Sequence, residues 1–210
     1  MLRGEKMAKQ IKGVYERILE CAKCEFLKNG YTSASLRVIA ARADTTPCSI
    51  YTRFKDKEGL FCAIVEPVAI EFYQLFKVEQ ENFHQMDEEN QKQEMEQYGA
   101  GSMESILDYI YDHFDEFHLL LEASYGTKFQ NFVDELVNIE VEYTFKYIAA
   151  TCCGEKHSEV MNEEFFHIIT TAHFESMFEV VRHNMSREAA GIYGGMLEKY
   201  HMAGFESVFS

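Results

Sequence analysis

Proline is nearly missing from this chain: 210 residues carry only Pro47 and Pro67. Proline interrupts helices, so its scarcity leaves long segments free to be helical. No segment of weight shows the strict alternation of a strand. Basic residues are scarce in all but the first part of the chain. Residues 1–60 hold twelve Lys and Arg (Arg3, Lys6, Lys9, Lys12, Arg17, Lys23, Lys28, Arg37, Arg42, Arg53, Lys55, Lys57) against seven acids, a balance of +5. Residues 61–210 hold eight basic and twenty-eight acidic residues, a balance of −20. The overall charge of −15 argues by itself against nucleic acid, but its distribution does not. A basic head on an acidic body presents one face to phosphates while the body is repelled from them.

Long apolar runs are also lacking. The opening MLRGEKMAKQIKG has no core for a signal peptide, and no stretch reaches the roughly 18 apolar residues needed to span a bilayer. The six cysteines (Cys21, Cys24, Cys48, Cys62, Cys152, Cys153) are scattered and form no secreted-type framework. The expectation is a cytoplasmic protein with reduced thiols and no membrane partner. The eight histidines lie between His84 and His201 without a compact ligand motif such as HExxH. No metal, no cofactor and no convincing nucleophile–base pair is expected, so an enzyme on a helical scaffold has little to stand on. Cys21 and Cys24 have CxxC spacing inside a helical segment, where packing is the better reading. The vicinal pair Cys152-Cys153 leaves a redox or metal sensor open.

The apolar residues that are present recur at helical spacing. Ile11, Val14, Tyr15, Ile18, Leu19, Ala22, Phe26 and Leu27 mark a helix over 8–28, ended by Asn29-Gly30. Thr32, Ser33 and Ser35 offer cap oxygens to a short helix over about 35–43, which Asp44-Thr45 breaks. Thr46 caps a helix over about 47–53 with Pro47 at its first position. Lys55-Asp56 is a turn, and Asp56 caps a long helix to about residue 84 that Pro67 should bend. Residues 85–100 are polar and read as a loop or weak helix. Helices follow over about 102–115, 117–124, 128–151, 159–184 and 187–208, with breaks at Gly99–Gly101, Tyr125–Thr127, Gly154–Ser158 and Asn184–Ser186. The fold class is all-α: a three-helix helix-turn-helix domain over 1–56, then a larger helical domain over 57–210.

Two short helices across a tight turn are the core of a helix-turn-helix, whose second helix enters the major groove. In TPCSIYTR only Ile50 and the following Phe54 need to face inward. The candidate DNA contacts are Ser35, Arg37, Thr45, Thr46, Pro47, Cys48, Ser49, Tyr51, Thr52, Arg53 and Lys57. Small Cys48 and Ser49 let the helix approach base edges, and its N-terminus aims amides at a phosphate. Tyr51 and Lys57 suit phosphate contacts.

Gly30-Tyr31, then Ser35-Leu36-Arg37-Val38-Ile39-Ala40-x-x-Ala43, then Ser49-Ile50-Tyr51-x-x-Phe54-x-x-Lys57-Glu58-x-Leu60-Phe61 resemble the N-terminal domain of the TetR family of transcriptional regulators. The match covers roughly residues 11–61. Three positions depart from the family pattern: Asp44 stands where the turn usually has Gly, Ala34 where a capping Thr is common, and Cys48 where Gly is common. The resemblance implies a regulator, in the first instance a repressor, that binds a palindromic operator as a homodimer and is released by a small-molecule effector. It implies that the last two helices pair with their copies in a second subunit. Gly191, Gly194 and Gly195 fit that role, since helical glycine costs about 1 kcal/mol relative to Ala and suggests close packing. Ala172 and Ser176, four apart on one face, join Gly191 and Gly195 as the candidate dimer interface. The resemblance also implies a ligand pocket, for which the candidates are Phe72, Phe76, Tyr109, His113, Phe117, Phe166 and His173. With few cations in the body, the expected ligand is a small apolar or cationic aromatic molecule. A ligand-independent structural DNA binder is the alternative of a different class.

Overall fold

The computed structural model describes residues 2–151 and 162–209; the pair Cys152-Cys153 lies outside the described residues. Among the described residues there are nine helices and no strand: α1 (Leu2–Ser33), α2 (Leu36–Arg42), α3 (Pro47–Phe54), α4 (Lys57–His84), α5 (Glu88–Asp112), α6 (Phe114–Glu122), α7 (Phe132–Thr151), α8 (Glu163–Arg182) and α9 (Arg187–Phe209). They form two compact units. One comprises Met1–Ala69 and Asp115–Gln130, the other Ile70–Phe114 and Asn131–Ser210. The expected boundary at residue 56 falls just before α4, and the unit that contains it runs on through Ala69.

In the first unit, Ile18, Ala22 and Phe26 of α1 are wholly buried, as are Ile39 of α2, Ile50 of α3 and Leu60 and Phe61 of α4. Phe26 meets Phe61 edge to face at 5.2 Å, and Tyr15 stacks on Phe54 at 5.2 Å. The predicted stop of the first helix is visible as Gly30, whose φ of 69° and ψ of 167° leave helical geometry inside α1. The turn after α2 is closed by hydrogen bonds from Thr45 N to Ala40 O at 2.9 Å and from Asp44 N to Ala41 O at 3.4 Å. This Schellman closure puts Asp44 at φ 51°, a left-handed position that glycine fills best and Asp tolerates better than most residues. The same device ends α8, where Asn184 has φ 49° and Met185 N donates to Val180 O at 3.0 Å.

In the second unit, α7 packs on α8, and α9 packs on both α5 and α8. Phe132 lies between Phe72 at 6.2 Å and Phe178 at 6.0 Å, and Phe76 meets Phe174 edge to face at 5.5 Å. Here the polar stretch read as a loop or weak helix is the first half of α5, and the break expected at Gly99–Gly101 does not occur. Asp87 supplies the start, its side chain accepting from Asn90 N at 3.0 Å. A cap plus a downstream apolar face sustains a helix through a segment of poor local pattern.

Alone among the described helices, α4 has an 18-residue window apolar enough by composition to cross a bilayer. Glu66, Glu71 and Lys77 interrupt its apolar residues, so they form no single run. Half of that window is buried inside the fold, as in a core helix.

The left-handed turn gives a direct test. Asp44→Val should destabilise the protein by about 1–2 kcal/mol, because a β-branched residue is strained at positive φ. Asp44→Gly should lose nothing. Denaturant unfolding of the three proteins checks the order, and a Val variant as stable as the parent would contradict it.

Candidate DNA interface and ligand cavity

Helix α3 is short, so its ends and inner face decide its position. At its start Thr46 is extended (φ −112°, ψ 152°) and its hydroxyl accepts from Ser49 N at 3.2 Å, with Pro47 next in the chain as predicted. Ile50 is fully buried and Phe54 nearly so. The rest of the helix faces outward: Thr46, Cys48, Tyr51 and Thr52 are exposed, with Tyr51 at 52 %. Arg37 on α2 is exposed too, whereas Ser35, Thr45, Pro47, Ser49 and Arg53 are half-buried. The Thr52 hydroxyl donates to Cys48 O at 2.8 Å, and Arg53 Nη1 donates to Ser49 O at 3.1 Å and to the Ser49 hydroxyl. These two side chains therefore brace their own helix in the free chain.

Lys57 is more committed than its sequence position suggests. Its ammonium donates to Thr32 O at 2.9 Å and Ala34 O at 3.3 Å and lies 4.7 Å from the Tyr31 ring centre. It ties the start of α4 to the segment between α1 and α2. The cap on α2 also differs from expectation. Ser35 is the N-cap residue but makes no side-chain cap bond. Instead Ser35 N donates to the Glu25 carboxylate at 3.2 Å, and Glu25 is buried. A carboxylate from α1 thus accepts from the N-cap amide, the place that the third-position Glu of a capping box has elsewhere.

Gly59 carries no signal in the sequence that singles it out. A Cβ there would lie 1.9 Å from Phe54 O, so the last carbonyl of α3 fits against α4 only because residue 59 has no side chain. Asp56 caps the same turn, accepting from Gly59 N at 2.7 Å.

Residues 18–64, which run from within α1 into α4, match the sequence model of the family described as "Bacterial regulatory proteins, tetR family". This head resembles the N-terminal domain of TetR-family regulators. No curated protein matches the chain by sequence. Solved structures share its fold over nearly their whole length. NalD, the secondary repressor of the MexAB-OprM multidrug efflux pump in Pseudomonas aeruginosa, has 17 % identity and a TM-score of 0.59, covering 93 % of this chain and 97 % of NalD. A TetR-like regulator from Rhodococcus sp. RHA1 has 17 % identity and a TM-score of 0.57, covering 91 % and 96 %. A transcriptional regulator (TerR/AcrR family) from Aquifex aeolicus VF5 has 16 % identity and a TM-score of 0.56, covering 93 % and 99 %. The chain is thus similar to TetR-family DNA-binding regulators in sequence over residues 18–64, and it shares its all-helical fold with these solved structures.

The second unit contains a cavity of about 140 Å³. Phe76, Phe166 and His173, three of the candidate pocket residues, line it. Phe72, Tyr109, His113 and Phe117 do not. Phe72 and Phe117 are fully buried core, while Tyr109 donates to Glu71 at 3.1 Å and packs on His113 at 4.6 Å. Residue type alone does not separate an aromatic that fills a core from one that borders a space.

The polar groups of the cavity include two that the sequence did not bring forward. Glu140 of α7 accepts from Gln80 Nε2 at 2.6 Å, and Glu198 of α9 is buried. Both line the cavity. Burial, then the charge of Glu198, pushes the Glu140 carboxyl up to about 7. Burial raises Glu198 as well. His173 and His201 stack at 3.9 Å. Burial, then the neighbouring His201, brings His173 down to about 3, and burial lowers His201. Each group is thus pushed toward its uncharged form. A sequence signal for the carboxylates does exist: Glu140 falls four and three residues after Leu136 and Val137, and Glu198 four after Gly194, each a charge on an inward stripe.

Two substitutions test this geometry. Gly59→Ala should destabilise the protein by about 1–3 kcal/mol, since backbone on both sides blocks relief; thermal unfolding reads it, and an unchanged midpoint would contradict the contact. For Glu140 the folded-state pKa lies above the ordinary 4.5, so protonation favours the folded state. Stability is full below that ordinary value and falls as pH rises through about 7. Glu140→Gln should flatten this fall, and parallel pH–stability curves for the two proteins would contradict it.

Proposed function

We propose that the chain is a TetR-family regulator, a cytoplasmic repressor that binds a palindromic operator as a homodimer and leaves it when a small apolar or cationic aromatic molecule enters the cavity. Residues 1–56 read DNA, and residues 57–210 bind effector and dimerise. The observation that carries the reading is α3, which buries Ile50 and Phe54 and turns a polar face outward within the segment that matches the family. Cys48, Ser49 and Thr52 lie where a helix in the major groove meets base edges, with Thr45, Thr46 and Pro47 at its start. Ser35, Arg37, Tyr51, Arg53 and Lys57 surround it as phosphate contacts. For Arg53 and Lys57 that role exchanges an internal partner for a phosphate, so the exposed Arg37 is the cleaner electrostatic contact. The repressor role follows NalD, which is described as a repressor.

Dimerisation through α8 and α9 is supported by an apolar face with nothing over it in one chain. Ile192, Met196 and Tyr200, spaced four apart on α9, are 64 %, 68 % and 80 % exposed. Ile168 and Ala172 of α8 are not buried within the chain either. The glycines divide their roles. A Cβ on Gly194 would lie 2.6 Å from Leu107 Cδ1, so that glycine seats α9 on α5 of its own chain. Gly191 and Gly195 have nothing within 4 Å and suit the approach of a second copy, with Ala172 and Ser176 opposite. Continuity of α4 supports effector release: it begins at Lys57 and carries Phe76, Gln80, Phe83 and His84 of the cavity.

Two measurements test this reading. Gly195→Glu should give a folded monomer by light scattering, and a variant that remains dimeric places the interface elsewhere. Arg37→Ala should weaken binding to any duplex and lower the slope of log K against log salt by about one. An unchanged slope removes Arg37 from the phosphate contacts.

A further inference from the structure

We propose that the cavity in the second unit is a receptor for a hydrophobic amine in its protonated form, and that binding expels one proton from the Glu140–Glu198 carboxylate pair. The inference rests on the effector reading above and narrows it to one ligand chemistry.

Charge balance comes first. The cavity receives two carboxylates, from α7 and α9, and no Lys or Arg among its lining residues. Its other titratable groups are His84 of α4, Tyr143 and Tyr147 of α7, His173 of α8 and His201 of α9; α5 contributes none. The His84 ring nitrogens face Gln80 O at 2.9 Å and Tyr143 O at 3.1 Å, so its hydrogen bonds go to backbone. His173 and His201 are held toward the neutral form. An anionic ligand would find no Lys or Arg to neutralise it.

The carboxylates are not supplied for a metal. Among the described residues no three His, Cys, Asp or Glu side chains are arranged to hold an ion. An organic cation needs less convergence, because its charge rests on one end and its body on the walls. Those walls are aromatic, including Phe76, Phe83, Phe166 and Phe174, and ring faces attract an ammonium. The volume of about 140 Å³ corresponds to roughly ten waters at about 10–15 Å³ each, room for one ring and a short chain. His173 gives an independent sign of a ligand. It lines the cavity, and its Nδ1 atom is buried with no hydrogen-bond partner. A buried polar atom of this kind is normally satisfied, and a ligand N–H or O–H can satisfy it.

The proton comes from the pair. Without a cation, burial and then the nearby charge of Glu198 keep a proton on Glu140 up to about pH 7. An ammonium beside them replaces that proton as the neutralising charge. The O–H bond of one carboxyl breaks, its proton passes to water, and the ionised carboxylate pairs with the amine. Affinity for the protonated amine therefore falls about tenfold per pH unit below about 7 and levels off above it.

Calorimetric titration of the full-length protein with phenethylamine, naphthylmethylamine and decylamine, each against the alcohol and the carboxylate of the same skeleton, tests this. In buffers of different ionisation enthalpy at pH 6, about one proton should be released per amine bound. Each amine should bind at least tenfold tighter than its alcohol at pH 8, with the advantage shrinking by pH 6. The Glu140→Gln/Glu198→Gln double variant should keep alcohol binding and lose both the amine preference and the proton release. Tighter binding of the alcohols or carboxylates, amine binding without proton release, or no binding of any amine by the folded protein overturns the proposal. Operator binding is read separately. Amines that bind as described yet leave DNA affinity unchanged sink the effector reading and spare the site. Neutral or acidic members that alone release DNA do the reverse.

Discussion

The eight residues of α3 cannot hold helical form alone: helices this short are unstable in water without tertiary support. Everything attributed to the head depends on how that helix is fixed. Thr46 satisfies an amide at its start, Ile50 and Phe54 anchor its inner face, and the missing side chain of Gly59 lets its last carbonyl seat against α4. Thr46 apart, the residues that hold it are therefore not the residues it displays. This separation lets Cys48, Ser49 and Thr52 be chosen for what they meet, since none of them is needed to hold the helix down.

The second unit inverts the usual relation between polarity and burial. Carboxylates sit on inward stripes of α7 and α9, and imidazoles are pressed together between α8 and α9. An apolar core of the same shape would avoid the desolvation of these groups. Their presence around a space is what the proposed ligand site rests on. Raised carboxyls and lowered imidazoles are both what a low-dielectric surround does to charge, so the cavity is close to neutral until something charged enters it.

The head is legible in the sequence because its signals are local. Asn29-Gly30, Asp44, Thr46-Pro47 and Asp56 each act within a few residues, and each acts as read. The cap of α2 is not legible, because Glu25 reaches Ser35 from another helix. The first half of α5 reads as a loop or weak helix because its pattern is poor; its helicity comes from the Asp87 cap and from the apolar second half of the same helix. Aromatic residues of the second unit can be counted but not sorted, since lining or filling a space depends on tertiary arrangement. That is why Phe76, Phe166 and His173 border the cavity while Phe72 and Phe117 do not. The three helical glycines stand out together in the sequence, but only packing separates Gly194, fitted to Leu107, from Gly195 with open space beside it.

The central claim is that two copies of this head read one DNA site by sequence. Selecting bound duplexes from a random pool with the full-length protein tests it directly. The account predicts enrichment of a palindrome whose half-sites are related by two-fold symmetry and set to successive major-groove faces. Retention of duplexes without any enriched sequence, or enrichment of a single unrepeated site, would contradict it.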